Sequence, residues 1–344
     1  MYEYPKLLLK MKLNYTCILA LLASTSWSFG QSAAGRIDAT ERALPSPAKE
    51  AAQGGASDVS NVSASDTGAQ RPLLLKKSGF SAQVGFDSKI SYKQNPLGAP
   101  GVLDQQADAV WENRFTGMAK LGVYDMDSSV VTPFIGGSWA MTDFTYKNEN
   151  DVVQDLSTLN FNTTTAYLLF LMQHESGWAF RAGVMYANDI STEEDTEEYS
   201  EFYPSIGITK AYTLNNNALG VLDASFGSHY GTITDVDGAA TSHTSDELDH
   251  IDLTASYSII YSMDNFTIQP SYSISYRKYD NGYNFDRKDT LHSLGLLIDY
   301  PISESFDLMF FTNYAKRTSS GSHATLYEFE KFDIGSGLGL TARF

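Results

Sequence analysis

This chain lacks most of what would let a protein brace itself or cross a membrane by the commoner routes. Its single cysteine is Cys17, so everything after that position is without a thiol to form a disulfide, attack a substrate or ligate a soft metal. Beyond the N-terminus no run approaches the roughly 18 apolar residues that a membrane-spanning helix needs. Positive charge is scarce, with 24 Lys and Arg against 41 Asp and Glu and a formal net charge of -17. That balance argues against a nucleic-acid partner, which requires basic surface. What is plentiful is aromatic side chain, with 21 Tyr and 19 Phe.

The N-terminus has its own character. Residues 1–30 carry Lys6, Lys10 and Lys12, an apolar core from Cys17 to Ala23, and small residues Ser28 and Gly30 before Gln31. That order is expected of a secretory signal peptide, beginning at Met1 or at Met11, where M-K-L starts a leader of ordinary length. Removing its net +2 takes the chain to about -19. Residues 31–72 are rich in Ala, Ser, Gly, Asp and Pro and have no apolar period, so a disordered linker is expected there.

From Leu73 the chain changes to short segments of alternating polarity. The last of them, Phe332 to Phe344, puts Phe332, Ile334, Leu338, Leu340, Ala342 and Phe344 on one face, and Asp333, Gly335, Gly337, Gly339, Thr341 and Arg343 on the other. A strand ending the chain on an aromatic resembles the final strand of Gram-negative outer-membrane β-barrels, where the terminal ring, here Phe344, serves as an assembly signal. The resemblance is to the general class, and it implies an all-β, closed antiparallel transmembrane barrel over 73–344. It also implies location in the outer membrane and dealings with the barrel-assembly machinery, outer-membrane lipid and lipopolysaccharide.

The same alternation places twelve strands near 80–92, 110–124, 130–146, 158–172, 178–189, 200–214, 218–233, 250–262, 266–279, 290–301, 306–317 and 329–344; ten or fourteen also fit the pattern. Joins alternate between short and long, the shortest being 215–217 and 263–265 and the longest 93–109 and 234–249. With an even strand count, this puts both termini on the short-turn, periplasmic side. The third strand, with Pro133, Gly136 and Gly137, changes phase and invites a bulge. Aromatics gather at strand ends and suggest two girdles. Tyr92, Trp111, Tyr146, Phe202, Tyr230, Tyr276 and Phe332 make one, and Trp178, Tyr212, Tyr261, Phe266, Tyr300, Phe306 and Phe344 the other.

The face opposite the lipid face supplies the candidate lumen lining: Lys89, Glu112, Arg114, Lys120, Arg181, Asp189, Asp223, His229, Asp252, Arg277, Asp299, Arg317, Asp333 and Arg343. Both signs are present, which fits mutual pairing in a polar interior. Taken literally, the alternation also turns Leu168, Phe170, Met172, Ile260, Leu297, Met309 and Phe311 inward at the short-turn end, where Leu73-Leu74-Leu75 is expected to dock.

The function expected is a narrow passive channel for small solutes. Acidic loops at 147–157, 190–201 and 234–249 would favour cations. A structural or adhesive surface barrel is the alternative, and a lipid-modifying enzyme a more distant one. The H-x-S at His243-Thr244-Ser245 lies in a long join of ordinary loop composition, so no catalytic residue is assigned. Asp235, Asp237, Asp246, Glu247 and Asp249 lack the spacing of a calcium loop, so no metal or cofactor is assigned either.

Overall fold

In the computed structural model the described residues are 80–96, 107–145, 156, 160–193, 195, 197–234, 244–263, 265–303 and 305–344. The expected leader, the linker and Leu73 to Leu75 lie outside them, as do His243, Tyr146 and most of 147–157.

The strands are β1 Ser81–Gln94, β2 Ala107–Lys120, β3 Tyr124–Met126, β4 Ser129–Phe144, β5 Phe161–His174, β6 Trp178–Ser191, β7 Glu197–Asn215, β8 Ala218–Ile233, β9 His250–Ser262, β10 Thr267–Tyr279, β11 Lys288–Pro301, β12 Phe306–Ser320 and β13 Phe329–Arg343. Every pairing is antiparallel, sequence neighbours lie side by side except β2 and β3, β2 pairs with β4, and β1 also pairs with β13, which closes the sheet into a barrel. Closure removes the exposed edges that an open sheet would leave in lipid. At the seam the Phe344 N–H donates to the Ala82 carbonyl at 2.8 Å, and the Ala82 N–H to the Phe344 carbonyl at 3.1 Å.

The wall has twelve strands, because β3 continues β2. The two are separated by Leu121-Gly122-Val123, which face only Thr132 and Pro133 on β4. The bulge expected in the third strand therefore falls on its partner. Pro133 has no N–H to give the ladder, and the extra residue is absorbed opposite it, where the Leu121 N–H takes the Pro133 carbonyl at 2.9 Å.

The wall strands run from 13 to 19 residues, longer than the roughly 9–11 a tilted strand needs to cross hydrocarbon. Short turns join them at one end, as at Glu175-Ser176-Gly177. There Gly177 holds φ +78, which an L side chain rarely adopts, while its N–H reaches the His174 carbonyl at 2.9 Å. The long connections lie at the other end.

The outer surface is apolar all the way round. Val84, Ile90, Phe115, Ile135, Phe170, Ile206, Phe226, Leu253, Leu294, Phe310 and Leu338 are all exposed. Soluble chains rarely leave such a continuous apolar surface open to water. Exposed aromatics flank it, with Tyr92, Trp111, Phe202, Tyr230, Tyr276 and Phe332 toward the long-loop end and Trp178, Tyr212, Tyr261, Tyr300 and Phe344 toward the short-turn end. Ring body and polar tip suit these residues to a hydrocarbon boundary.

One inferred phase is corrected. Leu168, Phe170 and Met172 do not face inward: Leu169 and Leu171 are buried on the inner face, and Phe170 is exposed on the outer one. Ile260, Leu297, Met309 and Phe311 are buried on the inner face.

Candidate functional site: the barrel interior

The interior is built from alternate residues of each strand, and its charged groups meet side by side along the wall. On β1 and β2, Asp87 lies opposite Arg114 and Lys89 opposite Glu112. Arg114 Nε donates to Asp87 Oδ2 at 3.0 Å, and Lys89 Nζ sits 2.9 Å from Asp87 Oδ1 and 3.5 Å from Glu112 Oε1. A second group spans β6 to β8. The Arg181 guanidinium makes a fork onto the Asp223 carboxylate, with Nη2 to Oδ1 at 2.7 Å, and donates from Nη1 to Thr209 Oγ1 at 2.9 Å. It can cross β7 because Gly207 has no side chain; a Cβ there would stand 2.5 Å from the guanidinium carbon.

Toward the long-loop end the interior is more completely buried. Asp189 accepts from Thr163 Oγ1 at 2.6 Å. Glu201 and His229 pair at 3.0 Å with both side chains out of solvent, and Tyr199 Oη donates to the other Glu201 oxygen at 2.9 Å. Arg277 Nε donates to Asp252 Oδ2 at 3.2 Å. Ring stacking then passes from strand to strand. Tyr203 lies 4.0 Å from His229, His229 lies 4.1 Å from His250, and His250 lies 4.9 Å from Tyr279. The Arg287 guanidinium lies between the Tyr279 and Tyr327 rings, at 3.7 and 3.6 Å, and its Nη2 is 3.2 Å from Asp289 Oδ2. Arg317 lies 4.4 Å over Phe329, and Lys331 5.3 Å from the same ring. Cation–aromatic contact of this kind strengthens where water is excluded.

The loops at this end bind one another in the same circumferential way. Asn284 Nδ2 donates to the Glu247 carbonyl at 2.9 Å, Asn281 Nδ2 to Asp249 Oδ2 at 3.2 Å, and the Gly231 N–H to Asp249 Oδ1 at 2.7 Å. Burial raises the Asp249 carboxyl above the ordinary carboxylate range, and nearby Asp246 pushes the same way; the donors from Gly231 and Asn281 oppose both. Burial likewise raises the Tyr327 hydroxyl.

All the inferred interior positions lie on the inward alternation class. Lys89 with Glu112, Arg181 with Asp223, and Asp252 with Arg277 are brought into ion pairs. Asp189, Arg317 and Asp333 are buried toward the long-loop end, while Lys120, Asp299 and Arg343 stand toward the short-turn end and belong to none of these pairs. Sequence reasoning missed Glu201 as an interior residue: it fell in the overlap of the acidic loop at 190–201 with the strand at 200–214, and it is part of β7. It also missed Lys93, Asp289 and Lys331, which are buried on the same inner face, and Arg287 in the β10–β11 connection. Among the described residues no group of His, Cys, Asp and Glu is arranged to hold a metal ion.

A closed antiparallel ladder, an apolar outer belt between two aromatic girdles and a polar, ion-paired interior together define a transmembrane β-barrel of the outer-membrane type. No family model matches the chain, and no curated protein does. Among solved structures, the chain is similar to the COG4313 outer membrane channel from Pseudomonas putida F1, at 10% identity over 82% of this chain and 100% of that one, with a TM-score of 0.48. It is also similar to the beta domain of the Bordetella autotransporter BrkA, at 9% identity over 76% and 99% with a TM-score of 0.41. The NanC porin aligns at 8% identity over 74% and 98%, also with a TM-score of 0.41.

Proposed function

We propose that the chain is a narrow passive channel of the outer membrane, with its long loops outside the cell and its termini in the periplasm. The observation that carries this reading is the direction of the interior ion pairs. Asp87 with Arg114, Lys89 with Glu112 and Asp252 with Arg277 join adjacent strands, and Arg181 with Asp223 reaches over a single one. Charges paired along a wall satisfy one another without bridging the barrel, which leaves the axis for solute. At mid-height Arg114 and Arg181 still meet solvent, with 30% and 21% of their side chains exposed.

Cations are the favoured solutes. Exposed Glu193, Asp195, Glu197, Asp246, Asp280 and Asp286 stand at the long-loop rim, where carboxylates concentrate cations over a Debye length of about 8–10 Å. The same carboxylates are suited to bridging lipopolysaccharide phosphates through divalent ions. Reconstitution into planar bilayers tests the reading: discrete conductance steps are expected, with a reversal potential favouring cations more strongly at low salt. Anion preference at low salt overturns the selectivity, and a folded protein that never conducts overturns the channel.

A further inference from the structure

The interior changes character along its length, and its short-turn half carries a feature that a water-filled path does not require. There much of the inner face is apolar, in three groups separated by polar or bare positions such as Gln269 on β10 and Gly337 on β13. Phe134 and Leu169 belong to one buried group shared by β2 and β4 to β7, Val221 and Ile260 to a second on β8 and β9, and Leu297 and Met309 to a third on β11 and β12. The third group spreads over bare backbone, since Met309 faces Gly337 on β13. Water scarcely reaches the most buried of these side chains: Leu169 is 1% exposed, Val221 0% and Met309 2%.

We propose that this collar is the constriction of the path and works as a hydrophobic gate, passing solutes that carry an apolar group in preference to hydrated ions of equal charge. The inference rests on the channel reading above and adds to it the class of solute and the residues that select it. A narrow, mostly apolar constriction is poorly wetted, so a bare ion entering it must give up hydration with little besides Gln269 and Asp299, opposite Leu297 and Met309, to replace it. A solute that brings a ring or a short alkyl group makes the opposite exchange at that level, since its apolar surface leaves water for the collar. Its charge meanwhile has the Arg181, Asp223 and Thr209 group within reach, because Asp223 is the next inward residue after Val221 on β8.

The test uses the refolded full chain in planar bilayers, with Leu169, Val221 and Met309 replaced together by serine and Phe170→Leu, on the outer face of the same strand, as a control. The readouts are KCl conductance and the bi-ionic reversal potential of phenyltrimethylammonium against choline, two permanently charged cations that differ in apolar surface. The wild type and Phe170→Leu are expected to favour phenyltrimethylammonium. The triple variant is expected to conduct KCl at least about threefold better and to lose that preference. Equal conductance with the preference retained overturns it while leaving the channel reading intact, whereas silence from every folded form overturns the channel reading itself. If the triple variant does not give the compact heat-modifiable band of a folded barrel, Val221→Ser and Met309→Ser alone are read in the same way.

Discussion

Replacing Asp223 by alanine should expose the energetic logic of the interior. In the wild type, its carboxylate receives the Arg181 fork and the Thr209 hydroxyl at 2.5 Å, and only 5% of its side chain is exposed. Asp223→Ala leaves a guanidinium laid flat over Gly207 with Thr209 as its remaining recorded partner in this group. Breaking a fully buried pair costs about 3–5 kcal/mol. Because a fifth of the Arg181 side chain meets solvent, the guanidinium can recover part of its hydration, and about 2–3 kcal/mol is expected. Arg181→Met with Asp223→Leu removes both charges and should recover most of that loss, because neither partner is then stranded. Urea unfolding of the barrel in lipid vesicles, followed by tryptophan fluorescence, measures both variants. The reasoning fails if Asp223→Ala lies within about 0.5 kcal/mol of wild type, or if the double variant is no more stable than the single one.

Three further outcomes follow from particular contacts. Asp249 has a raised carboxyl in the folded state, so its contribution to stability is full below the ordinary carboxylate range and is lost as pH rises through the raised value. Asp249→Asn should therefore match wild type in acid and gain on it with rising pH; a difference independent of pH in unfolding curves would count against this. Gly227→Ala places a methyl group in the Tyr203 ring, itself stacked on His229, and should cost about 1–3 kcal/mol, whereas Gly117→Ala meets nothing within 4 Å and should be close to neutral; equal unfolding midpoints would refute the contrast. Phe344 closes the seam through its backbone while its ring is 79% exposed, so Phe344→Ser should lower the yield of folded barrel during assembly and leave the unfolding midpoint of what does fold nearly unchanged; the reverse pattern on heat-modifiability gels and in urea would show the ring to be structural.

The strands and their order were legible because lipid outside and water inside impose a strict two-residue period, and because turns and loops segregate to opposite ends. Legibility failed where that period carries no information. In A-Y-L-L-F-L-M at 166–172 both alternation classes are apolar, so nothing local distinguishes Leu169 from Phe170. The inward phase of β5 is fixed only by partners elsewhere, such as Asp189 for Thr163. Glu201 went unread as an interior group because the acidic run E-E-Y-S-E overlaps the start of the strand at 200–214, and its partner His229 is 28 residues away. Arg287 has no strand pattern of its own, and its environment is made by two tyrosines, Tyr279 at the end of β10 and Tyr327 in the connection after β12, strands that pair on either side of β11. Pairing between neighbours was readable in outline, since opposite charges recur on the inward class, but the particular partners depend on register.

The alternation of water-facing and lipid-facing side chains along one strand, with a conducting path on the water side, is tested most directly by cysteine substitution at adjacent positions during current recording. Cys17 is the only native cysteine, so the unmodified protein serves as the blank. Arg114 faces the interior beside Asp87, and Phe115 points outward against Phe86 and Trp139. A negatively charged, membrane-impermeant methanethiosulfonate reagent should change the current through Arg114→Cys and leave Phe115→Cys and wild type unaffected. An equal response at both positions, or a response at 115 alone, would contradict the account.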